Sequence, residues 1–222
     1  MSRAVILLKS PPRVLTTDAY VKHLEAAGYI PYFVEVLDSI LSNAQELEDI
    51  IRAGPNHGTR FVGVVITSSR AADAWIQVLS KISEPGNPSM DMDCQLSEFI
   101  SGDWSETPFY VVGESTGRTL KQITISHPVK FSESLILGAS QTGSSESLAQ
   151  FVLDDLPLRR ASGKLLYLTG DKNKDTFRRI MAGNGVGIQE LMVYETKAVS
   201  NLEERVASIA EEIANGEWDF CG

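Results

Sequence analysis

Three segments of the chain repeat one pattern, and this repeat constrains the fold more than any other feature of the sequence. In each segment a short apolar run is followed by a turn rich in Gly, Ser and Thr and then by an amphipathic helix pattern. The apolar runs are Phe61–Ile66, Phe109–Val112 and Leu165–Leu168. Strands that alternate with helices predict a parallel sheet with right-handed crossovers, so we expect an α/β fold.

Similar elements flank these three segments. Ala4–Leu8 is continuously apolar, which predicts a strand covered on both faces. Asp18 is placed to cap the next helix, and Gly28 to close it. Residues 84–108 are rich in Pro, Gly, Asp and Ser without usable periodicity, and we interpret them as an insertion loop. Further predicted strands are Tyr29–Val36, Leu135–Leu137 and Leu191–Tyr194, and further helices are Ala44–Arg52, Ser145–Asp154 and Leu202–Ile213.

The turns that follow the strands predict where a ligand would bind. In parallel sheets, ligands bind outside the carboxyl ends of the strands. Three turns fall at that edge: Thr67–Arg70, Gly113–Thr116 and Thr169–Lys172. Backbone N–H groups at helix N-termini can bind anions there. Arg70 and Lys172 add positive charge there, although a solvated surface charge stays open as the alternative for each.

Composition excludes several classes of function. With 20 Lys+Arg against 29 Asp+Glu, the net charge of −9 argues against general nucleic-acid binding. No apolar stretch approaches the roughly 20 residues of a membrane span. The two cysteines, Cys94 and Cys221, form neither a disulfide framework nor a C-x-x-C metal site. Without a signal-type N-terminus, we expect a cytoplasmic protein.

Two short motifs resemble catalytic signatures but lack the required context. Gly113–Gly117 fits G-x-S-x-G, yet the only histidine downstream is His127, and residues 116–126 contain no acid. The Ser–Asp/Glu–His order of that fold is therefore absent. Gly183–Gly187 follows a helix instead of a strand and lacks dinucleotide-loop spacing. The histidines, His23, His57 and His127, show no metal-ligand spacing.

Five successive segments resemble the uroporphyrinogen-III synthase family. The first, VITSSRAADAW from Val65, is similar to that family's strand followed by T-S-P-R and a helix. The last, VYET from Val193, is close to the family's V-Y-x-T. The three between them are YVVGESTGRTL from Tyr110, GSSESL from Gly143 and LYLTGDK from Leu166.

This resemblance implies a fold of two flavodoxin-like parallel-sheet lobes joined by a two-stranded connection, with the active site in the cleft between them. The terminal lobe would comprise residues 1–36 plus 197–222, and the middle lobe 38–191. The connecting strands would be Phe33–Leu37 and Leu191–Tyr194. Family members continue through about two more βα units after the region of Trp218, so we expect the terminal lobe to be incomplete here.

The resemblance also implies an activity: closure of hydroxymethylbilane to uroporphyrinogen III, with inversion of ring D, loss of water and no cofactor or metal. We expect a monomer with a small-molecule tetrapyrrole substrate. Tyr194 would donate a proton or hydrogen bond to the departing hydroxyl. The substrate-binding residues would be Lys9, Ser10, Thr67, Ser68, Arg70, Gly113, Ser115, Thr116, Ser144, Gly170 and Lys172. The competing interpretations are a non-enzymatic bilobal ligand-binding or sensor module, or an inactive truncated form.

Overall fold

The computed structural model describes residues 3–11, 18–83, 102–122, 132–159 and 162–215, which divide between two compact units. Unit 1 comprises Met1–Ile40 and Thr196–Gly222, and unit 2 comprises Leu41–Glu195. The strands are β1 (Arg3–Leu7), β2 (Tyr29–Phe33), β3 (Leu37–Leu41), β4 (Phe61–Ile66), β5 (Phe109–Val111), β6 (Ile136–Leu137), β7 (Lys164–Gly170) and β8 (Gly187–Ala198). The helices are α1 (Ala19–Ala26), α2 (Ala44–Ala53), α3 (Ser69–Ser83), α4 (Gly113–Lys121), α5 (Ser145–Asp155), α6 (Thr176–Gly183) and α7 (Leu202–Asn215).

Unit 2 is built on a sheet with the strand order β3-β8-β7-β4-β5-β6. The pairs β8–β7, β7–β4, β4–β5 and β5–β6 are all parallel, so the predicted α/β class is confirmed. Counted along the chain, these five strands lie in the order 3-2-1-4-5, whereas flavodoxin has 2-1-3-4-5. The chain leaves β4 toward one edge of the sheet and returns to β7 on its other side. The topological switch point therefore lies between the carboxyl ends of β4 and β7.

Helices cover both faces of this sheet, which explains why its central strands are continuously apolar. All six residues of β4 are buried. On one face, Leu47 and Ile51 of α2 and Trp75 of α3 pack against the strands. On the other, Leu148 of α5 and Phe177 of α6 do so. Parallel strands buried on both faces lose the alternating pattern of a half-exposed strand, as the sequence predicts.

The segment that follows residue 101 is not simply a surface loop, which corrects the interpretation of 84–108. Trp104 is fully buried and its indole N–H donates to the carbonyl of Ile51 at 3.0 Å. Its ring lies edge-on to Trp75, with centroids 5.4 Å apart. Gly102 packs directly on Gly54, where a methyl group on Gly54 would come 2.6 Å from the Gly102 α-carbon. Residues 84–101 lie outside the described residues.

Unit 1 holds a two-stranded parallel sheet, β1–β2, in the register Arg3↔Tyr29 to Leu7↔Phe33. Asp18 caps α1 as predicted, accepting the N–H of Tyr20 at 2.8 Å. β1 forms, but its residues are half-buried or exposed rather than covered on both faces. A two-stranded sheet has too few neighbours to bury a strand completely.

Three other elements differ from their predicted limits. α4 begins at Gly113 instead of Gly117, so the predicted turn is the first turn of the helix. β8 runs from Gly187 to Ala198, well beyond Leu191–Tyr194. β3 was not predicted as a separate strand, because LDSIL lacks the apolar pattern of a buried one. The predicted connecting strand Phe33–Leu37 therefore comprises the last residue of β2, a break at 34–36 and the first residue of β3. Among the helices of the described ranges, none has the length and hydropathy of a membrane span.

Candidate functional site

The carboxyl edge of the unit 2 sheet collects most of the predicted site residues, and we call this edge the rim. Thr67 directly follows β4, Gly170 ends β7, and Tyr194 lies in the second half of β8. The remaining members are the first turns of α3 and α4, the N-cap Ser144 of α5, and Lys172. Parallel strands end at the same side of a sheet, so residues distant in the chain meet there.

Tyr194 is the best-supported side chain of the rim. Its hydroxyl lies 3.2 Å from Oγ of Ser68, which follows β4. Its ring lies across Gly170 of β7, where an added methyl group would come 2.5 Å from the ring carbon Cε2. Its carbonyl accepts the N–H of Asp171 at 3.2 Å. The ring is half-buried against the core, and its contacts with Ser68 and Gly170 place the phenol at the switch point.

A second contact joins the start of α3 to that of α4. The hydroxyls of Ser69 and Ser115 are 3.2 Å apart. Ser69 was not among the predicted site residues, although it is the third polar residue of the T-S-S-R turn. Gly113 begins α4 with a φ of +75°, a left-handed conformation that favours glycine. Serine hydroxyls from two helix starts thus lie side by side beside the switch point.

Three predicted contacts are not available to a ligand in the way the sequence indicates. Thr116 is 3% exposed because its side chain belongs to the buried face of α4. The N–H of Gly113 donates to the carbonyl of Thr142 at 3.0 Å, so this amide already has an acceptor. Ser144 likewise accepts the N–H of Ser147 at 3.2 Å. Several rim amides are therefore satisfied within the protein.

Tyr167 is a rim residue that sequence reasoning missed. Its ring is fully buried beside Phe177, yet its hydroxyl donates to Oδ1 of Asn173 at 3.0 Å and also bonds with the side chain of Thr67. Burial raises the pKa of the Tyr167 phenol. Asn173 in turn donates to Glu190 at 3.2 Å. The signal in the sequence is a tyrosine three residues before the end of a buried strand.

The two cations predicted for the rim, Arg70 and Lys172, have exposed side chains. Neither has an ion-pair partner within the part of the chain that the structure describes. At the start of α5, the pKa of Glu146 is lowered, first by a hydrogen bond from its own backbone N–H and then by Ser144. This helix terminus therefore stabilises a carboxylate, as helix N-termini do.

Lys9 and Ser10 belong to unit 1, and both already have partners. The Lys9 ammonium lies 2.7 Å from a carboxylate oxygen of Asp18 and 4.9 Å from the ring centroid of Tyr20. The Lys9 hydrogen bond is the main reason that the pKa of Asp18 is lowered. The Ser10 hydroxyl donates to Glu35 at 2.6 Å. Their place in a substrate site stays a prediction.

Two pockets among the described residues of unit 2, of about 240 and 330 Å³, lie near the amino ends of the strands, at the opposite edge of the sheet from the rim. The first is lined by Glu46, His57 and Gln189 among others, and the second by Arg60 and Arg159. The described ranges contain no group of three or more His, Cys, Asp or Glu residues that could hold a metal ion.

Comparisons with known proteins point to one enzyme. The chain is 23% identical over 221 residues to the uroporphyrinogen-III synthase of Schizosaccharomyces pombe, covering 97% of this chain and 74% of that protein. It is 21% identical over 200 residues to the enzyme of the same name from Saccharomyces cerevisiae, covering 89% and 64%. The chain thus spans roughly two thirds to three quarters of these relatives.

Solved structures of the same name are also similar. A mutant uroporphyrinogen-III synthase from Thermus thermophilus matches with a TM-score of 0.48 and 15% identity, over 98% of this chain and 70% of that one. The Helicobacter pylori protein matches with a TM-score of 0.44 and 16% identity, over 90% and 63%. A family model described as "Uroporphyrinogen-III synthase HemD" matches residues 18–220. Since this match spans nearly all of the 222 residues, the chain belongs to the uroporphyrinogen-III synthase family.

Proposed function

We propose that this chain closes hydroxymethylbilane to uroporphyrinogen III, with inversion of ring D and loss of one water. The observation that carries the proposal is the placement of Tyr194 in a chain of this family. Its hydroxyl stands at the switch point of a parallel sheet, between Ser68 and Gly170, where α/β folds bind their ligands.

The reaction begins when the carbon–oxygen bond of the hydroxymethyl group breaks. Electrons from the adjacent pyrrole nitrogen expel the oxygen, which takes up a proton and leaves as water, and an azafulvene remains. The substituted carbon of ring D attacks the azafulvene carbon and gives a spiro intermediate. That intermediate fragments and recloses with ring D inverted, losing a proton. Because the pyrroles provide the electrons, the proposal assigns a cyclising hydro-lyase that requires no cofactor.

Tyr194 would donate a hydrogen bond or a proton to the departing oxygen. A phenol is a weak acid, and a donor within hydrogen-bond reach of a leaving oxygen lowers the barrier to its departure. Tyr194 suits this role because Ser68 and Gly170 hold its oxygen and its ring in one place. The larger task is positioning, since the flexible bilane must fold so that the inverting route outruns simple ring closure.

The substrate carries an acetate and a propionate on each pyrrole, and the rim offers donors for such carboxylates. Arg70 and Lys172 provide exposed positive charge, and Ser115 provides a hydroxyl beside Ser69. Because several rim amides already have acceptors, we assign more of the binding to these side chains than the sequence alone indicates. The other proposed contacts at the rim are Thr67, Gly113, Ser144 and Gly170. Lys9 and Ser10 remain proposed substrate contacts from unit 1. We also propose two domains, a terminal one of residues 1–36 plus 197–222 and a middle one of residues 38–191.

The decisive experiment incubates the purified chain with hydroxymethylbilane and separates the isomers of the product after oxidation. An enzyme yields the III isomer in excess over the I isomer that forms spontaneously. A protein that only binds the bilane, or an inactive form, leaves the I isomer as the product, and this outcome would refute the proposal. Boiled protein supplies the control for the uncatalysed reaction.

A further inference from the structure

The Ser68 hydroxyl makes two hydrogen bonds inside the protein, and these determine what it can do. Oγ accepts the N–H of Ala71 at 3.2 Å, which caps the start of α3. The same hydroxyl donates to the oxygen of Tyr194 at 3.2 Å. The Ser68 carbonyl accepts the N–H of Ala72 at 3.2 Å, so the residue is held at the helix start by both its backbone and its side chain. A hydroxyl has a single proton, and here that proton points at the phenol.

The direction of this hydrogen bond matters for Tyr194. When Ser68 donates to the phenol oxygen, the phenol keeps its own proton for an acceptor elsewhere. Gly170 constrains the ring independently, because a methyl group there would come 2.7 Å from the Tyr194 oxygen. One contact fixes the oxygen and the other fixes the ring. The free proton therefore has a defined direction, away from Ser68 and from Gly170.

We infer that Ser68 is a positioning residue for Tyr194 and not a contact for a substrate carboxylate. It holds the phenol oxygen as a hydrogen-bond acceptor so that the phenol proton is presented to the departing hydroxyl. The inference rests on the proposed function, in which Tyr194 is the donor, and it revises the substrate-binding role that the family resemblance implies for Ser68.

Three substitutions separate the two bonds of Ser68. Ser68→Thr keeps both the cap and the hydroxyl donor. Ser68→Asp keeps the cap, since aspartate is a good N-cap residue, but its carboxylate accepts and cannot donate. Ser68→Ala loses both bonds. Ser144→Ala is the matched control for stability, because Ser144 caps α5 through a bond of the same 3.2 Å length.

Steady-state kinetics with hydroxymethylbilane test the role during turnover. We expect Ser68→Asp and Ser68→Ala to lower kcat by about threefold to tenfold, the range of one lost hydrogen bond, with KM changed less than twofold. Ser68→Thr should restore kcat. In a Tyr194→Phe background, Ser68→Asp should have no further effect. A normal kcat for Ser68→Asp, or a loss confined to KM, would overturn the inference.

A second test, by NMR spectroscopy, does not depend on enzymatic activity. With tyrosine labelled by carbon-13 at Cζ, the Tyr194 signal is assigned by its loss in Tyr194→Phe. We expect this signal to shift in Ser68→Asp and Ser68→Ala and to stay in place in Ser68→Thr and Ser144→Ala. An unmoved signal in Ser68→Asp would overturn the inference even if the chain makes the III isomer. Failure to make the III isomer, with the expected shifts present, would instead overturn the proposed function and leave the Ser68–Tyr194 contact intact.

Discussion

Individual residues of the rim divide into those that meet a substrate and those that hold another residue in place. Arg70, Lys172 and Ser115 are exposed at the sheet edge and Tyr194 is half-buried there, whereas Thr116 packs inward. A motif read from the sequence does not separate these classes. In the turn of Gly113–Thr116, adjacent polar residues point to different sides of a helix, because successive residues are about 100° apart.

Removal of the Tyr194 hydroxyl tests the donor role directly. We expect Tyr194→Phe to lower kcat for hydroxymethylbilane by about tenfold or more, because a positioned acid contributes to the breaking of the carbon–oxygen bond. KM should change less than threefold, since the aromatic ring remains on Gly170. Steady-state kinetics of isomer III formation would measure both. Unchanged turnover would remove Tyr194 from the mechanism.

Gly170 offers a test of ring placement through space alone. A methyl group there would meet Cε2 of Tyr194 at 2.5 Å, so Gly170→Ala must displace the ring. We expect a loss of about 1–3 kcal/mol in the free energy of unfolding and a fall in kcat.

Gly183→Ala is the matched control for Gly170→Ala. Gly183 lies in α6 with open space around its α-carbon. An alanine there should leave stability unchanged or raise it slightly. Equal effects of the two substitutions, measured by urea unfolding, would show that the Tyr194 contact does not limit the site.

At the scale of elements, the Glu48 carboxylate links helices α2 and α3, which pack on the same face of the sheet. Glu48 of α2 is 7% exposed and lies 2.9 Å from Nζ of Lys81 on α3 and 2.9 Å from Nη2 of Arg52. The Lys81 hydrogen bond is the main cause of the lowered pKa of Glu48, with a further contribution from Arg52. The folded state therefore favours the ionised form.

This arrangement predicts a pH-dependent contribution to stability. The stabilisation is present above the ordinary carboxyl pKa of 4.5 and is lost as the pH falls through the lowered value in the folded state. We expect Glu48→Gln to cost about 1–3 kcal/mol of unfolding free energy at pH 7, with the difference from the unsubstituted chain shrinking as the pH falls below 4.5.

Urea unfolding at pH 7 and at acid pH measures this difference. Glu46→Gln serves as the control, since Glu46 lies on the exposed side of the same helix. A penalty for Glu48→Gln that is constant with pH would indicate lost packing instead of lost ionic bonding.

At the scale of the whole molecule, the two units differ in how completely their strands are buried. Every residue of β4 is buried, whereas β1 and β2 are half-buried or exposed throughout. Local opening is easiest where few apolar contacts and neighbouring strands protect the backbone. The amount of burial thus predicts a difference in local stability between the units.

Native-state hydrogen exchange should reveal this difference. We expect the amides of Val5 and Ile6 to exchange about 100-fold faster than those of Val64 and Val65 under the same conditions. Mass spectrometry of peptic fragments would resolve the two strands. Equal protection of both would show that the half-buried strand pair is as stable as the central sheet.

The sequence by itself determined the α/β class and the family. Continuous apolar runs followed by Gly/Ser/Thr turns indicate parallel strands and their loops, because the pattern depends on local burial and turn chemistry. It also placed Asp18 correctly as a helix cap, since capping depends on neighbouring residues alone.

Only the tertiary structure decided which polar residues share the rim and which are occupied. The contacts Ser68–Tyr194 and Ser69–Ser115 join residues 126 and 46 positions apart, and strand order brings them together. The burial of Thr116 and Trp104 likewise depends on what packs against them. Local sequence determines where a strand ends, but the order of strands in the sheet determines which ends are neighbours.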